Sequence, residues 1–520
     1  MNRPAPENWS TRIGVILAVT GSAVGLGNFL RFPGLAAKYD GGAFMIPYFV
    51  ALLLLGLPLA WAEWSMGRYG GTRGHHSAPG IFRLIWKNKA APYLGVLGLI
   101  VPVVIYMYYV FIQSWCLGYA WHYLTGAMDL GRDPEAYKSF FAGYTGIEAD
   151  ASIFTGFLGT PLVFLLICIA LNFILINRGL TRGIELFCLW AMPALVVCAL
   201  LVLVRVLTLG TPDPSKPELN VLAGLGQMWN LDADGKSVWE QLANGKMWME
   251  AAGQIFFSLS VGFGVIITYA SYMRRDDDIA LSSTTAVAGN EFFEVSLGGM
   301  ITIPAAFVFL GAAGVVGGTF ALGFNTLPLV FEYMPLGRWI GFLWFFLLFL
   351  AAITSSLSML QPAIAFLQEG LGLTRTRAVA LLCGVGTAGT LLVVWFSKNL
   401  TAMDTLDFWV GTFCIYLLAC LQTFLFGWVF TPQRGMEELD RGADLRLPRL
   451  FGFVIKYISP VYLLVVFIAW AVQDMGDRIE AFATDPAVRW SMIFLAGVFI
   501  LFLWWIRLAV KRWHLEDRTS

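Results

Sequence analysis

The chain has 520 residues, of which 58% are apolar and only 13% charged, and its formal net charge is zero. Soluble globular proteins carry about 25% charged residues. A chain this poor in charge cannot clothe a water-facing surface, so its solvent is largely lipid, and its neutral balance gives nucleic acid no purchase.

A helix that crosses a bilayer needs about 20 apolar residues. Twelve segments meet that need, within about 12–37, 42–66, 92–124, 155–177, 184–206, 248–273, 280–311, 337–369, 376–396, 405–430, 449–473 and 489–511. The first has no small-residue cleavage site and further spans follow it, which excludes a signal peptide. The third and eighth exceed bilayer thickness and are expected to tilt or protrude. Arg68, Arg73, Arg83, Lys87 and Lys89 crowd the 68–91 loop, and Arg178, Arg182, Arg274, Arg275, Arg375 and Arg377 flank later loops of the same parity. Loops of the other parity are acidic, with Asp129, Asp133, Glu135, Glu148 and Asp150 in one and Asp474, Asp477 and Glu480 in another. Basic loops stay inside, so both termini are expected in the cytoplasm and the long 125–154 and 208–247 loops outside. The seven cysteines lie in or beside apolar runs without CxxC spacing and read as small buried hydrophobes.

Polar chemistry concentrates in a few spans. Span 1 carries Gly21-Ser22-Ala23-Val24-Gly25-Leu26-Gly27-Asn28, and span 6 carries Ser258-Leu259-Ser260-Val261-Gly262-Phe263-Gly264. Each mid-helix glycine costs about 1 kcal/mol against alanine. The blocks Ala23-Val24-Gly25-Leu26-Gly27 and Ser260-Val261-Gly262-Phe263-Gly264 are near copies five spans apart. An odd offset puts the copies in opposite orientation, which predicts an inverted repeat with two broken helices meeting at the midplane. Freed N–H groups at a break suit a carboxylate and freed carbonyls suit cations, so a zwitterionic amino acid with sodium would satisfy both. Close packing of small residues is the simpler reading of one block and a poorer one of two.

Span 8 adds Thr354, Ser355, Ser356 and Ser358 to an apolar helix, with Ala351, Thr354, Ser355 and Met359 on one face. Neutral hydroxyls and carbonyls suit a monovalent cation, although bonding back to the i−4 carbonyl or across a helix interface is the better reading of these residues taken alone. Asn28 and Asn290 are amides that need partners in lipid, and Glu63 and Glu294 are ionisable groups inside spans. Arg31 and Asp407 close the outer ends of spans 1 and 10 and are candidates for a gate pair.

The runs Trp9-Ser10-Thr11-Arg12-Ile13-Gly14 and Gly21 through Pro33 resemble the neurotransmitter:sodium symporter family, most closely its bacterial, leucine-transporting members. So do Gly41-Gly42-Ala43-Phe44-Met45-Ile46-Pro47-Tyr48, Gly253-Gln254-Ile255-Phe256-Phe257, Tyr269-Ala270-Ser271-Tyr272, Thr354-Ser355-Ser356 and Asp407-Phe408-Trp409. This family is itself a type example of inverted repeats with broken helices. The resemblance covers essentially the whole chain. It implies an all-α polytopic membrane protein of twelve helices with a 5+5 inverted repeat, helices 1–5 and 6–10. Residues 1–520 then form a single transmembrane domain: 1–208 the first repeat, 240–430 the second, 431–520 two additional helices.

The resemblance also assigns roles. A first sodium site would use the Ala23 carbonyl, Asn28, Ser258, Asn290 and the substrate carboxylate, which couples ion to substrate. A second would use carbonyls of Gly21, Val24 and Ala351 and the hydroxyls of Thr354 and Ser355. The substrate carboxylate would meet Leu26, Gly27 and Tyr109, and its ammonium Ala23, Phe257 and Ser258. Its side chain would lie among Ile105, Tyr109, Phe257, Ser260, Phe263, Ser355 and Met359. No charge lines that pocket, so a neutral, apolar amino acid of alanine-to-leucine or methionine size is expected. Arg31 with Asp407 would gate the outside, under a lid of Tyr109 and Phe263, and Trp9, Tyr272 and Glu369 the inside. The family's inner-gate arginine aligns with Pro6, Arg3 lies nearby, and Ser22 replaces an amide at the pocket edge. Glu294 supplies the negative charge for which animal members use chloride, so no chloride requirement is expected.

The partners expected are therefore a small neutral amino acid, sodium ions and the lipid bilayer, and the location a bacterial inner membrane. No ring of charge suggests a channel, and an eight-residue tail after Arg512 argues against a sensor. No HExxH, GxSxG or P-loop spacing suggests an enzyme. Span 5 has no lysine between Gly183 and Val204 to replace a second sodium.

Overall fold

The computed structural model describes residues 8–39, 41–155, 161–231, 237–315, 318–444 and 446–519, and these are helical, with no strand. Helices occupy all twelve predicted positions. Among the described residues, nine are long and apolar enough to cross a membrane: Gly42–Gly71, Ala91–Thr125, Leu180–Leu207, Ile279–Ala312, Gly337–Leu371, Arg375–Trp395, Lys398–Phe430, Leu450–Ala469 and Pro486–Leu515. A bent pair, Arg12–Ala23 with Gly27–Lys38, makes a tenth. Pro161–Asn177 is a shorter apolar helix, and Gly245–Leu259 with Val265–Ala270 fills the sixth position in two pieces. In chain order these twelve are spans 1 to 12.

The first break follows from local chemistry. Thr11 caps span 1 by accepting from the Gly14 N–H at 3.0 Å, and the helix runs to Ala23. Val24 then turns extended, at φ −72° and ψ 107°. The helix resumes at Gly27 as a π-turn, bent by 51° from the first half. In span 6 the helix ends at Leu259, and Ser260, Gly262 and Gly264 take left-handed φ values of 54°, 74° and 82°. Three left-handed residues in five cannot continue an α-helix. Gly264 is also a close approach, since a Cβ there would lie 2.2 Å from the carbonyl oxygen of Gly98 on span 3. The two breaks sit in the paired blocks five spans apart, and the chain has the predicted inverted-repeat architecture.

Spans 3 and 8 are enclosed by the others, while spans 5, 11 and 12 turn residues such as Trp190, Val465 and Ile500 outward. All seven cysteines are free, and five of them are buried. The fourth helix is described from Pro161, so the start of its predicted span, 156–160, lies outside the described residues.

Candidate functional site

The two unwound segments face one another across a narrow pocket. It is lined by Ser22, Ala23, Gly25, Gly27 and Asn28 of span 1, Tyr109 of span 3, Phe257, Ser258, Ser260 and Phe263 of span 6, and Ser355 and Met359 of span 8. No charged side chain is among them. The Leu26 N–H donates to the Tyr109 hydroxyl at 3.1 Å, and the Ser260 hydroxyl donates to the Ser22 carbonyl at 3.1 Å. Ser22 and Ser358 hydroxyls meet at 2.7 Å. Ile105 is fully buried on span 3, one turn from Tyr109.

The residues expected at a second cation site converge. The Ser355 hydroxyl lies 3.3, 3.1 and 3.1 Å from the carbonyls of Gly21, Val24 and Ala351, and the Thr354 hydroxyl lies 3.0 Å from Ala351 O. This set carries no formal charge. Val24 and Gly21 carbonyls are free to point at span 8 because the helix is broken there.

The residues expected at a first site also meet. Asn28 Nδ2 donates to Asn290 Oδ1 at 2.8 Å and to Glu294 Oε2 at 3.1 Å, and Asn290 Nδ2 donates to the Ser258 hydroxyl at 2.7 Å. The Gly25 N–H donates to Asn28 Oδ1 at 2.8 Å. Gln254 Nε2 donates to the other Glu294 oxygen at 2.7 Å. Asn28, Gln254, Asn290 and Glu294 are fully buried. Glu63 of span 2, also fully buried, accepts the Gly262 N–H at 3.0 Å and so caps the break in span 6.

The gates differ from expectation. Arg31 and Asp407 form no ion pair within 4.0 Å: the Arg31 guanidinium stacks 5.1 Å above the Phe257 ring, and Asp407 accepts from the Tyr108 hydroxyl at 2.5 Å. A guanidinium over an aromatic face is a favourable alternative to the pair. On the inner side Trp9 donates to the Tyr269 carbonyl at 3.0 Å, with the rings edge to face at 5.2 Å. Pro6 and Arg3 lie outside the described residues. Glu369 is instead held by the 75–77 loop: His75 Nδ1 at 2.6 Å, the His76 N–H at 2.9 Å, and the Ser77 N–H and hydroxyl at 3.1 and 2.9 Å. The His76 ring stacks on Tyr272 at 4.6 Å. Burial pushes the His76 imidazole below its ordinary value of 6.5, against the pull of Glu369. No pattern in the sequence joins residue 75 to residue 369; only the fold brings them together.

Residues 6–139 and 152–511 match the description "Sodium:neurotransmitter symporter family". The chain belongs to that family. It is 28% identical over 502 residues to an uncharacterized sodium-dependent transporter of Methanocaldococcus jannaschii, covering 94% of this chain and 95% of that one. It is 24% identical to a sodium-dependent nutrient amino acid transporter of Drosophila persimilis, covering 97% of this chain and 81% of the relative. Among solved structures, MhsT in complex with L-phenylalanine superposes with a TM-score of 0.76 at 26% identity, covering 89% of this chain and 99% of that one. These relatives are transporters and not enzymes, and this symporter-family chain is a multi-pass membrane protein.

Proposed function

We propose that the chain is a sodium-coupled symporter that imports a neutral, apolar amino acid by alternating access. The observation that carries the reading is the buried cavity between two unwound helices, lined by backbone and hydroxyl groups without a charged side chain. A zwitterion there finds N–H donors at Leu26 and Gly27 and the Tyr109 hydroxyl for its carboxylate, and carbonyls of Ala23, Phe257 and Ser258 for its ammonium. A charged substrate side chain would be buried unpaired at a cost of several kcal/mol. Phe257, Phe263 and Met359 offer an apolar wall, and Met359 adapts to side chains from alanine to leucine or methionine.

Two sodium ions accompany the substrate in this reading. One is held by Ala23, Asn28, Ser258 and Asn290 with the substrate carboxylate, the other by Gly21, Val24, Ala351, Thr354 and Ser355. The buried Glu294 carboxylate supplies the negative charge beside the first ion, which removes a need for chloride. Arg31, Asp407, Trp9, Tyr272 and Glu369 gate the two sides, and spans 1, 2, 6 and 7 rock against spans 3, 4, 8 and 9. Both termini face the cytoplasm of a bacterial cell. MhsT, similar in fold and solved with L-phenylalanine bound, supports an apolar amino acid as the substrate class. The test is uptake of radiolabelled alanine, leucine and methionine into proteoliposomes. An inward sodium gradient should drive accumulation of at least one, and equal uptake in potassium rejects the coupling.

A further inference from the structure

Ser356 stands next to the proposed cation ligands on span 8, yet it faces the other way. Its hydroxyl lies 2.7 Å from Asn172 Oδ1 of span 4 and 2.9 Å from Gln113 Oε1 of span 3. Asn172 Nδ2 donates to Gln113 Oε1 at 3.2 Å and to the Cys168 carbonyl one turn back at 2.9 Å. All three side chains are fully buried, and Gln113 Nε2 has no partner. A polar triad that spends an unsatisfied amide N–H costs stability against an apolar core. A packing role alone would be better filled by carbon.

We infer that the Gln113–Asn172–Ser356 triad is a rotational clamp that sets the facing of span 8 and thereby the affinity of the Thr354–Ser355 cation site. The inference rests on the sodium reading above. Successive helical residues are about 100° apart, so Ser355 and Ser356 look at different neighbours, span 1 and spans 3 and 4. Nothing covalent fixes the roll of a long helix. Rolling span 8 by about 10° moves a hydroxyl about 0.8 Å when it lies about 4.5 Å from the axis, several times the roughly 0.2 Å tolerance of a ligand distance. Gln113 and Asn172, anchored on two other spans, oppose that roll. Ser356 and its partners are positioning residues: they touch no ion.

The test is equilibrium binding of ²²Na⁺ alone to the purified full chain, with no amino acid present. Ser356→Ala should raise the half-saturating sodium concentration about tenfold, as loss of an outer-shell partner does at metal sites. Ser356→Thr, which keeps the hydroxyl, should stay within twofold of the parent. Asn172→Ala should match Ser356→Ala, and the double variant should be no worse than the worse single, because both remove one unit. If Ser356→Ala does not fold, Asn172→Ala reads the same quantity. Sodium binding within twofold of the parent in the folded alanine variants overturns the inference, as does a threonine variant as weak as the alanine one. Thr354→Val separates the two readings. If it leaves ²²Na⁺ binding untouched, the proposed site itself is wrong; if it abolishes binding while Ser356→Ala does nothing, only the clamp is wrong.

Discussion

Gly25→Ala tests the cavity most directly. Gly25 has ordinary backbone angles, so alanine is not strained there and the effect is purely one of space. The added Cβ would lie 2.7 Å from the Tyr109 hydroxyl oxygen and 3.0 Å from the Ser355 hydroxyl oxygen. A relaxed carbon–oxygen contact is about 3.3 Å, so Tyr109 must retreat about 0.6 Å. Its ring is buried in span 3 and cannot swing freely. The free protein relieves the overlap by displacing Tyr109 from the Leu26 N–H; binding a carboxylate requires it back. Losing that hydrogen bond costs about 1 kcal/mol and the overpacking about 1–3 kcal/mol. Together, about 2–4 kcal/mol predicts amino-acid affinity weaker by about 30- to 1,000-fold. The assay is equilibrium binding of the tightest of the three labelled amino acids at saturating sodium. In a Tyr109→Phe background the tighter of the two contacts is gone and only Ser355 remains, so Gly25→Ala should then cost at least about tenfold less than in the parent. Parental affinity in the single variant, or an undiminished penalty in the double one, refutes the assignment of Tyr109 to the carboxylate.

Glu294→Ser should slow uptake in chloride-free buffer and make it rise with chloride, whereas the parent should be indifferent; uptake is measured across chloride concentrations. Gly264→Ala adds a Cβ 2.2 Å from the Gly98 carbonyl at a left-handed position, and should destabilise by about 2–4 kcal/mol, read as a lower melting temperature of the purified protein. The neutral His76 ring is favoured by burial, so the folded inner latch binds fewer protons than the opened one between its lowered value and 6.5. The proposed inner gate is therefore firm above pH 6.5 and loosens as the pH on its side of the membrane falls below that. Thiol labelling of a cysteine placed in the inner pathway should rise on acidification, and His76→Phe, which keeps the stack on Tyr272, should flatten that profile.

The broken helices were legible because each break is written locally, as glycine and serine crowded where a membrane helix should hold leucine. Thr354 and Ser355 stood out as hydroxyls in an apolar helix, but back-bonding accounts for such residues, and the carbonyls of Gly21 and Val24 entered only through the family resemblance. Contacts that depend on which side is open were not legible. Arg31 and Asp407 have the right charges and the right depth, yet a guanidinium can rest on Phe257 as readily as on a carboxylate. The hold of residues 75–77 on Glu369 is a contact across some 290 residues of chain, and neither partner carries a local signal of it.

The hydroxyl contacts at mid-membrane have a mechanical meaning. Inside the group of spans 1, 2, 6 and 7, the ties are a carboxylate on a backbone amide at Glu63 and amides on a carboxylate at Glu294. Toward spans 3 and 8 the ties are single neutral hydroxyls, at Tyr109, Ser355 and Ser358. The Glu294 carboxyl gathers Asn28, Gln254 and Asn290 from three spans at once, whereas each seam hydroxyl reaches one partner span. The molecule is thus welded within one half and only buttoned along the seam, and a button can be exchanged for a water, an ion or a passing carboxylate at little cost.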